Sequence, residues 1–472
     1  MNVALINPPS PDGSLFTREG RCTQRASLWA TQWPPVTLAY LAAVLRDDGH
    51  EAYVYDCPAT MTTQSVLIDE LTRQQPRLCV MATSTPSLAG DMQTLAAIKR
   101  ALPETATALI GVHATAMDAD VLARYAQVDF IVRREPEATV CELAQALNNE
   151  QDASLVKGLS YRQGEQTVRN DDRPFLDELD ALPFPAWELV DREPYRLPFS
   201  RRPFLCLVPQ RGCSYRCSFC TAAAYYGRRL RKRSVASIIA EIKHDRERFG
   251  VDDFFMWAET FTLDRDFVFD LARAMQRETP GIRWTCNSRT DTVDEELLRE
   301  MARAGCWMVS FGIESADDEV QRQSGKNLQS LDFAAPLRAA RAAGIKTVGH
   351  FIFGLPGETQ TSLNETLRLA LSLDLDFAQF YAAAPFVGSA LYDTAVAEGW
   401  LRRDDFAQIE QTRASLSLPG LPAAVVDRAV RRAKRRFYLR PRQVARLLGL
   451  AGFGIVRQLL HEMKTRWQRV MR

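Results

Sequence analysis

Apolar residues in the first 145 positions fall into short dense runs separated by stretches of helical spacing. Val3–Ile6, Ala52–Tyr55, Leu78–Ala82, Ala108–Gly111 and Phe130–Val132 are too short for helices, and their density predicts strands buried on both faces. Leu38–Leu45, Gln93–Ala101 and Ala138–Leu147 repeat apolar side chains at helical intervals. This alternation predicts a parallel sheet with helices on both faces, a doubly wound Rossmann-like α/β domain. Such sheets bind ligands outside the carboxyl ends of their strands. Those ends carry Asn7-Pro8-Pro9, Thr83-Ser84-Thr85-Pro86-Ser87, Gly111-Val112-His113-Ala114-Thr115 and Arg133-Arg134-Glu135. None has the G-x-G-x-x-G spacing, so an ordinary dinucleotide site is not expected.

The pattern breaks at 148. Asn148-Asn149-Glu150 opens a polar stretch, Gly158–Arg162 has the alternation of a hairpin strand, and LPFPAWELVD mixes proline with bulky apolar residues. A linker packed along domain surfaces is expected. Alternation resumes with strands at Phe204–Val208, Asp253–Trp257, Ile282–Cys286, Cys306–Phe311, Ile345–Phe353 and Phe377–Ala383. Helical patterns at Val235–Phe249, Arg265–Arg277, Glu295–Ala304, Leu331–Ala343 and Thr361–Leu373 separate them. Six such units predict a partial (βα)6 TIM-type barrel, whose chemistry sits on the loops after the strands. The expected divisions are a doubly wound domain at 1–147, a linker at 148–200, the barrel at 201–390 and a helical tail at 391–472.

Charge changes this picture at one end. The net charge of +1 hides fourteen Lys and Arg against one acid, Glu462, from Arg428 onward. An acidic body therefore carries a basic tail. The longest uncharged apolar run near that tail, Leu447–Val456, has ten residues and is too short to span a bilayer. The N-terminus, MNVALINPPSPDG, lacks the basic start of a signal peptide. Ten cysteines, scattered apart from one trio, suit a reducing cytoplasm, where a cysteine cluster reads as metal-binding or catalytic.

That trio lies in RGCSYRCSFC, on the loop after the first barrel strand, with Cys213, Cys217 and Cys220 spaced C-x3-C-x2-C. A structural zinc site wants a fourth ligand. The later candidates His244, Cys286 and Cys306 stand alone, which leaves a zinc ribbon as the bland alternative. A four-iron cluster fits an odd count better: three thiolates hold three irons, and the fourth stays open to another ligand.

The spacing, with Phe219 before the last cysteine, resembles the signature of the radical S-adenosylmethionine (SAM) superfamily. The resemblance implies a [4Fe-4S] cluster on the three cysteines and SAM on its open iron. It also implies SAM contacts at the strand ends: Phe219, Glu259 in Trp257–Thr262, Asn287 and Arg289, Glu314 in Phe311–Ser315, and Phe353 and Gly354. A doubly wound domain, a proline-rich linker and then this barrel resembles the cobalamin-binding subclass, over roughly residues 1–390. The implied cobalamin positions are Asn7, Pro8, Pro9, Ser84, Thr85, Ser87, Gly111, His113, Thr115 and Glu135. The D-x-H-x-x-G motif of methionine-synthase-like domains is absent, and relatives of this type commonly bind cobalamin without a histidine below the cobalt. His113 reads equally as a satisfied loop histidine.

The resemblance further implies an enzyme that forms a 5′-deoxyadenosyl radical and passes a methyl group from methylcobalamin to an unactivated carbon of a small, lipid- or tetrapyrrole-like molecule. A radical cyclase or rearrangement enzyme on the same scaffold is the alternative. A tRNA methylthiotransferase would need a second cysteine triad, and the first domain has only Cys22, Cys57, Cys79 and Cys141, far apart. A non-catalytic cobalamin or Fe–S sensor would not need the polar strand-end segments. The implied partners are the substrate and an electron donor such as flavodoxin or ferredoxin. Aromatic residues are few in the tail, so nucleic acid is not expected. A cytoplasmic location is expected; the basic tail reads first as a solvated charged face stabilising the acidic body, and second, from the run Val444–Leu460 with Trp467, as peripheral contact with the inner membrane face.

Overall fold

In β1 (Asn2–Asn7), Val3 and Leu5 enter the apolar core on one face of the first sheet, while Ala4 and Ile6 enter the core on the other. In β3 (Leu78–Ala82), Leu78, Val80 and Ala82 join the first core and Cys79 and Met81 the second. Strands used on both faces read as unbroken apolar runs, as the sequence predicts here. With β2 (Glu51–Asp56), β4 (Ala106–Ile110) and β5 (Phe130–Val132) they form a parallel sheet in the order β2-β1-β3-β4-β5. Helices Val36–Asp47 and Glu137–Asn148 cover one face; Gln64–Gln74 and Leu88–Ala101 cover the other. The computed structural model describes residues 1–10, 13, 15–19, 24–25, 32–164, 166–198, 200–328, 332–401 and 405–449.

The predicted hairpin does more than fill a linker. Strands β6 (Leu159–Gln163) and β7 (Gln166–Arg169) add antiparallel to β5, so the first sheet has seven strands and runs past the expected boundary at 147. Beyond it the chain packs tightly: Trp187 is fully buried, and Ala186 N donates to Ala39 O at 3.0 Å.

Six parallel strands in sequential order form the second sheet: β8 (Phe204–Leu207), β9 (Asp253–Met256), β10 (Arg283–Ser288), β11 (Cys306–Glu314), β12 (Lys346–Phe353) and β13 (Phe377–Ala382). The sheet is open between β8 and β13, the partial barrel of the sequence reading. β11 reaches three residues beyond the predicted end, through a register shift between Gly312 and Glu314. Helix Asp318–Gln323 precedes Ala334–Ala342, where one helix from Leu331 was expected, and Leu331 itself lies outside the described residues. Local signals set the helix ends: Ser234 accepts from Ser237 N to start Val235–Phe249, and Gly250, in the left-handed region, ends it.

Part of the basic tail is core. Helix Ala423–Tyr438 buries Val426, Val430, Ala433 and Phe437, and Tyr438 Oη donates to Ala378 O of β13 at 2.7 Å. Arg442 and Arg446 then reach Asp374 at 2.9 and 2.5 Å. The remainder of the Val444–Leu460 run, and Trp467, lie outside the described residues. No helix among the described residues is long and apolar enough to cross a membrane.

Candidate active site

The cysteine loop leaves β8 through Gln210–Arg211, which pairs antiparallel with Arg231–Lys232. Gly212 follows at φ +90°, and a Cβ there would lie 2.2 Å from Arg229 O, so only glycine turns the chain into the loop. Gly212 N donates to Glu259 Oε2 at 3.0 Å, Cys213 N to Gly227 O at 3.3 Å and Ser218 N to Ser324 O at 2.7 Å. The loop is thereby pinned at both ends. Cys213 is buried, Cys217 and Cys220 are half-buried, and all three line one cavity of about 390 Å³ at the barrel mouth and in its interior.

Among the described residues, no three His, Cys, Asp or Glu side chains are gathered for a single metal ion. Three cysteines on one loop that line one cavity leave a fourth position open, as a four-iron cluster with an exchangeable ligand requires, whereas a zinc ribbon needs a fourth protein ligand. Burial pushes the Cys217 thiol up to about 11 against the pull of Lys326 and Arg289, so a thiolate there would need the positive charge of a bound metal.

The other strand ends bring charge to the same cavity. Glu314 ends β11 at φ +65°, a left-handed backbone that costs a glutamate on the order of 1 kcal/mol. That turn aims its carboxylate at Lys326 Nζ, 3.0 Å away, in a buried pair. Arg289 is held by Asp291 through two bonds of 2.8 Å, donates to Lys326 O at 2.9 Å and lies 3.6 Å over the Tyr215 ring. Its Nη1 is buried without a partner, a donor that the carboxylate of an amino-acid ligand would satisfy. Phe219, Glu259 and Asn287 line the cavity as expected. Phe353 and Gly354 do not: Phe353 is fully buried against Phe380, and Gly354 abuts Val426 of the tail helix. The side chains of β12 alternate faces, so Ile352 enters the cavity and its neighbour Phe353 enters the core. Lys326, Tyr215, His350, Gln379 and Tyr381 also line the cavity and were not anticipated. For the last three a signal existed, an isolated polar or polar-tipped side chain inside an otherwise apolar strand, His350 in KTVGHFIF and Gln379 and Tyr381 in FAQFYA; Lys326 gave none.

A second cavity, of about 30 Å³, lies at the ends of β3 and β4. Ser84, Thr85, Gly111 and His113 line it, and Arg18 and Glu19 close it. Gly111 has φ +120°, and a Cβ would meet Thr83 O at 2.4 Å. His113 bonds Thr85 Oγ1 through Nδ1 at 3.2 Å, packs edge-on against Phe406, and keeps Nε2 buried without a partner. Burial lowers its pKa to about 3, so it stays neutral. These hydroxyls and the orphaned nitrogen fit the polar periphery of a corrinoid. A corrin ring exceeds 30 Å³ many times over, and Glu19 and Phe386 form a wall common to both cavities, where the ring would need space.

Six other expected cobalamin positions are spent elsewhere. Asn7 bonds Asp56 and Arg18, Ser87 bonds Asp91, and Thr115 accepts from Arg134 N. Pro8 and Pro9 are buried away from the cavity. Glu135 accepts from Leu176 N and from Arg211 and Arg231 of the cysteine loop's ribbon, at 3.2 and 2.8 Å, while Glu137 takes Arg211 at 2.6 Å. A buried ion-pair network therefore ties the cysteine loop to the first domain.

Family models agree with this division. The B12 binding domain matches residues 29–144 and the radical SAM superfamily matches residues 207–370. An uncharacterized methyltransferase of Pyrococcus horikoshii is 29% identical over 94% of this chain and 93% of its own. The anaerobic magnesium-protoporphyrin IX monomethyl ester cyclase of Cereibacter sphaeroides is 29% identical over 77% of this chain and 60% of its own. Among solved structures, the radical SAM methyltransferase TsrM of Kitasatospora setae, with cobalamin and a [4Fe-4S] cluster bound, superposes with a TM-score of 0.68 at 20% identity, covering 84% of this chain and 75% of that one. The chain belongs to the radical SAM superfamily, as a member carrying a B12 binding domain ahead of its barrel.

Proposed function

We propose that this protein is a cobalamin-dependent radical SAM methyltransferase acting on an unactivated carbon of a small molecule. The observation that carries the reading is the convergence of Cys213, Cys217 and Cys220 with Arg289, Glu314 and Lys326 on one cavity. The methyltransferase of P. horikoshii, alike over nearly the whole of both chains, supports methylation. The cyclase is the second reading, and its support is narrower because this chain spans 60% of that protein.

In this proposal the three cysteines hold the [4Fe-4S] cluster, and Phe219, Asn287, Arg289 and Glu314 surround SAM. Ser84, Thr85, Gly111 and His113 hold the periphery of cobalamin. When bound, these groups supply a 5′-deoxyadenosyl radical and a transferable methyl group. The protein's part is to align them and exclude water. Glu259 holds the Gly212 amide and with it the entry to the cysteine loop. Lys326 neutralises Glu314, so the pair adds no net charge beside the ligand. Arg289, clamped by Asp291 and Tyr215, offers Nη1 without further reorganisation.

An electron donor such as flavodoxin or ferredoxin completes the cycle, and a cytoplasmic setting suits an oxygen-sensitive cluster. Peripheral membrane contact through the tail rests on its sequence from 450 onward. The test is anaerobic reconstitution with dithionite and SAM. Methylated product with S-adenosylhomocysteine is expected; 5′-deoxyadenosine with no S-adenosylhomocysteine would favour the cyclase reading, and no cleavage of SAM would end both.

A further inference from the structure

The barrel wall farthest in sequence from the cysteine loop has a chemistry of its own. On β12 and β13 the cavity-facing residues include Val348, His350, Ile352, Phe377, Gln379 and Tyr381. His350 is the register partner of Gln379 on one side and of Gly312 on the other, so this wall stands level with the Gly312–Glu314 end of β11. His350 Nδ1 and Tyr381 Oη are 3.2 Å apart with their rings stacked at 5.8 Å and 5°. Gln379 makes no side-chain hydrogen bond to any described residue, so its amide presents both a donor and an acceptor to the cavity.

The remaining lining is rich in aromatic side chains, carries carboxyl groups such as Glu19 and Glu259, and is poor in usable cations. Trp33 reaches in from the first domain and packs on Phe255 and Trp257, at centroid distances of 4.4 and 5.5 Å. Among the described residues, the lining cations are Arg228, Arg289 and Lys326. Arg289 and Lys326 are ion-paired, Arg228 is exposed at the rim, and none lies on β12 or β13. A phosphate in this chamber would stay uncompensated, and a buried unpaired charge is expensive.

Building on the methyltransferase reading, we infer that the substrate is an uncharged, ring-bearing molecule whose one polar edge pairs a donor with an acceptor, as a lactam does, and that Gln379 reads this edge. The stacked His350–Tyr381 pair fixes the wall beside it. A ring fills the aromatic chamber, and the complementary edge satisfies both ends of the amide.

The test uses the full chain, reconstituted anaerobically with cluster and SAM, and 2-quinolone as a flat lactam probe followed by its own fluorescence. Saturable binding is expected, weakened about tenfold in Gln379→Leu and less in Gln379→Glu, which keeps the acceptor; cluster absorbance checks that each variant is folded. Cytidine diphosphate should not displace the probe. Displacement by the diphosphate, absence of saturable binding, or equal binding by Gln379→Leu would each overturn the inference. SAM cleavage by the wild-type preparation reports separately on the enzyme reading: cleavage without probe binding sinks only the substrate class.

Discussion

Gly312 shows how little slack the site has. A Cβ there would lie 2.4 Å from Glu314 Oε1 and 2.5 Å from Lys326 Nζ, both already committed to one another. Gly312→Ala should displace the ends of both side chains and weaken SAM binding while leaving the cluster spectrum in place, as equilibrium binding would report. Each of Cys213→Ala, Cys217→Ala and Cys220→Ala should instead abolish the cluster's absorbance; an intact spectrum in any of them would refute the ligand assignment. Glu358 gives a pH signature. Burial raises its carboxyl from 4.5 to about 8, although it accepts from the Gly354 and Leu355 amides. Between those values the folded chain keeps a proton that the unfolded chain releases. Its contribution is therefore complete below pH 4.5 and lost as pH rises through about 8. Glu358→Gln keeps an acceptor for the amides and removes the titration. Its denaturation midpoint should fall less than that of the wild type between pH 5 and 8.

At the scale of elements, the ribbon that carries the cysteine loop is locked to the first domain by arginines. Arg211 bridges Glu135 and Glu137, and Arg231 returns to Glu135, all four side chains being buried. Replacing a buried pair by apolar groups can be neutral, but removing one partner strands the other charge, at about 3–5 kcal/mol. Arg211→Ala should therefore lower stability by about that amount in denaturant titrations. Arg211→Lys should recover only part of it, because one ammonium nitrogen replaces the two separated nitrogens that reach Glu135 and Glu137. The lock also explains why Glu135, at a strand end where ligands commonly bind, is not open to cobalamin. Its position was legible in the sequence, whereas its partners, 76 and 96 residues away, were not.

For the whole molecule, the basic tail divides near 446. Up to that point it covers the barrel's last strand: helix Ala423–Tyr438 packs on β13, and Arg442 and Arg446 meet Asp374. The charge separation read from composition thus becomes contact, with basic tail on acidic body. Phe437 is fully buried against Phe380, and Phe437→Ala should cost about 3–5 kcal/mol. A truncation before 423 should unfold the edge of the barrel, so membrane contact has to be tested with a chain ending at 449. Loss of vesicle co-sedimentation with melting unchanged would assign lipid contact to the last residues; retained binding would rule them out.

Much of this architecture is local, and so could be read without coordinates. Strand and helix follow from periods of two and 3.6, and six of the barrel's strands lie where the apolar runs put them. The C-x3-C-x2-C loop needs only its own spacing and its place after the first barrel strand. What the tertiary structure decided is non-local or a matter of parity. Chain separation conceals Lys326 from Glu314 and Arg211 from Glu137, because ion pairs form wherever folding removes water, not where sequence places neighbours. One step along β12 exchanges cavity for core, which turned Phe353 inward and left His350 facing the cavity beside Gln379. The sequence by itself determined which cofactors the protein is built around; which side chains line the cavity that meets them depended on how six strands curl around it in an open sheet.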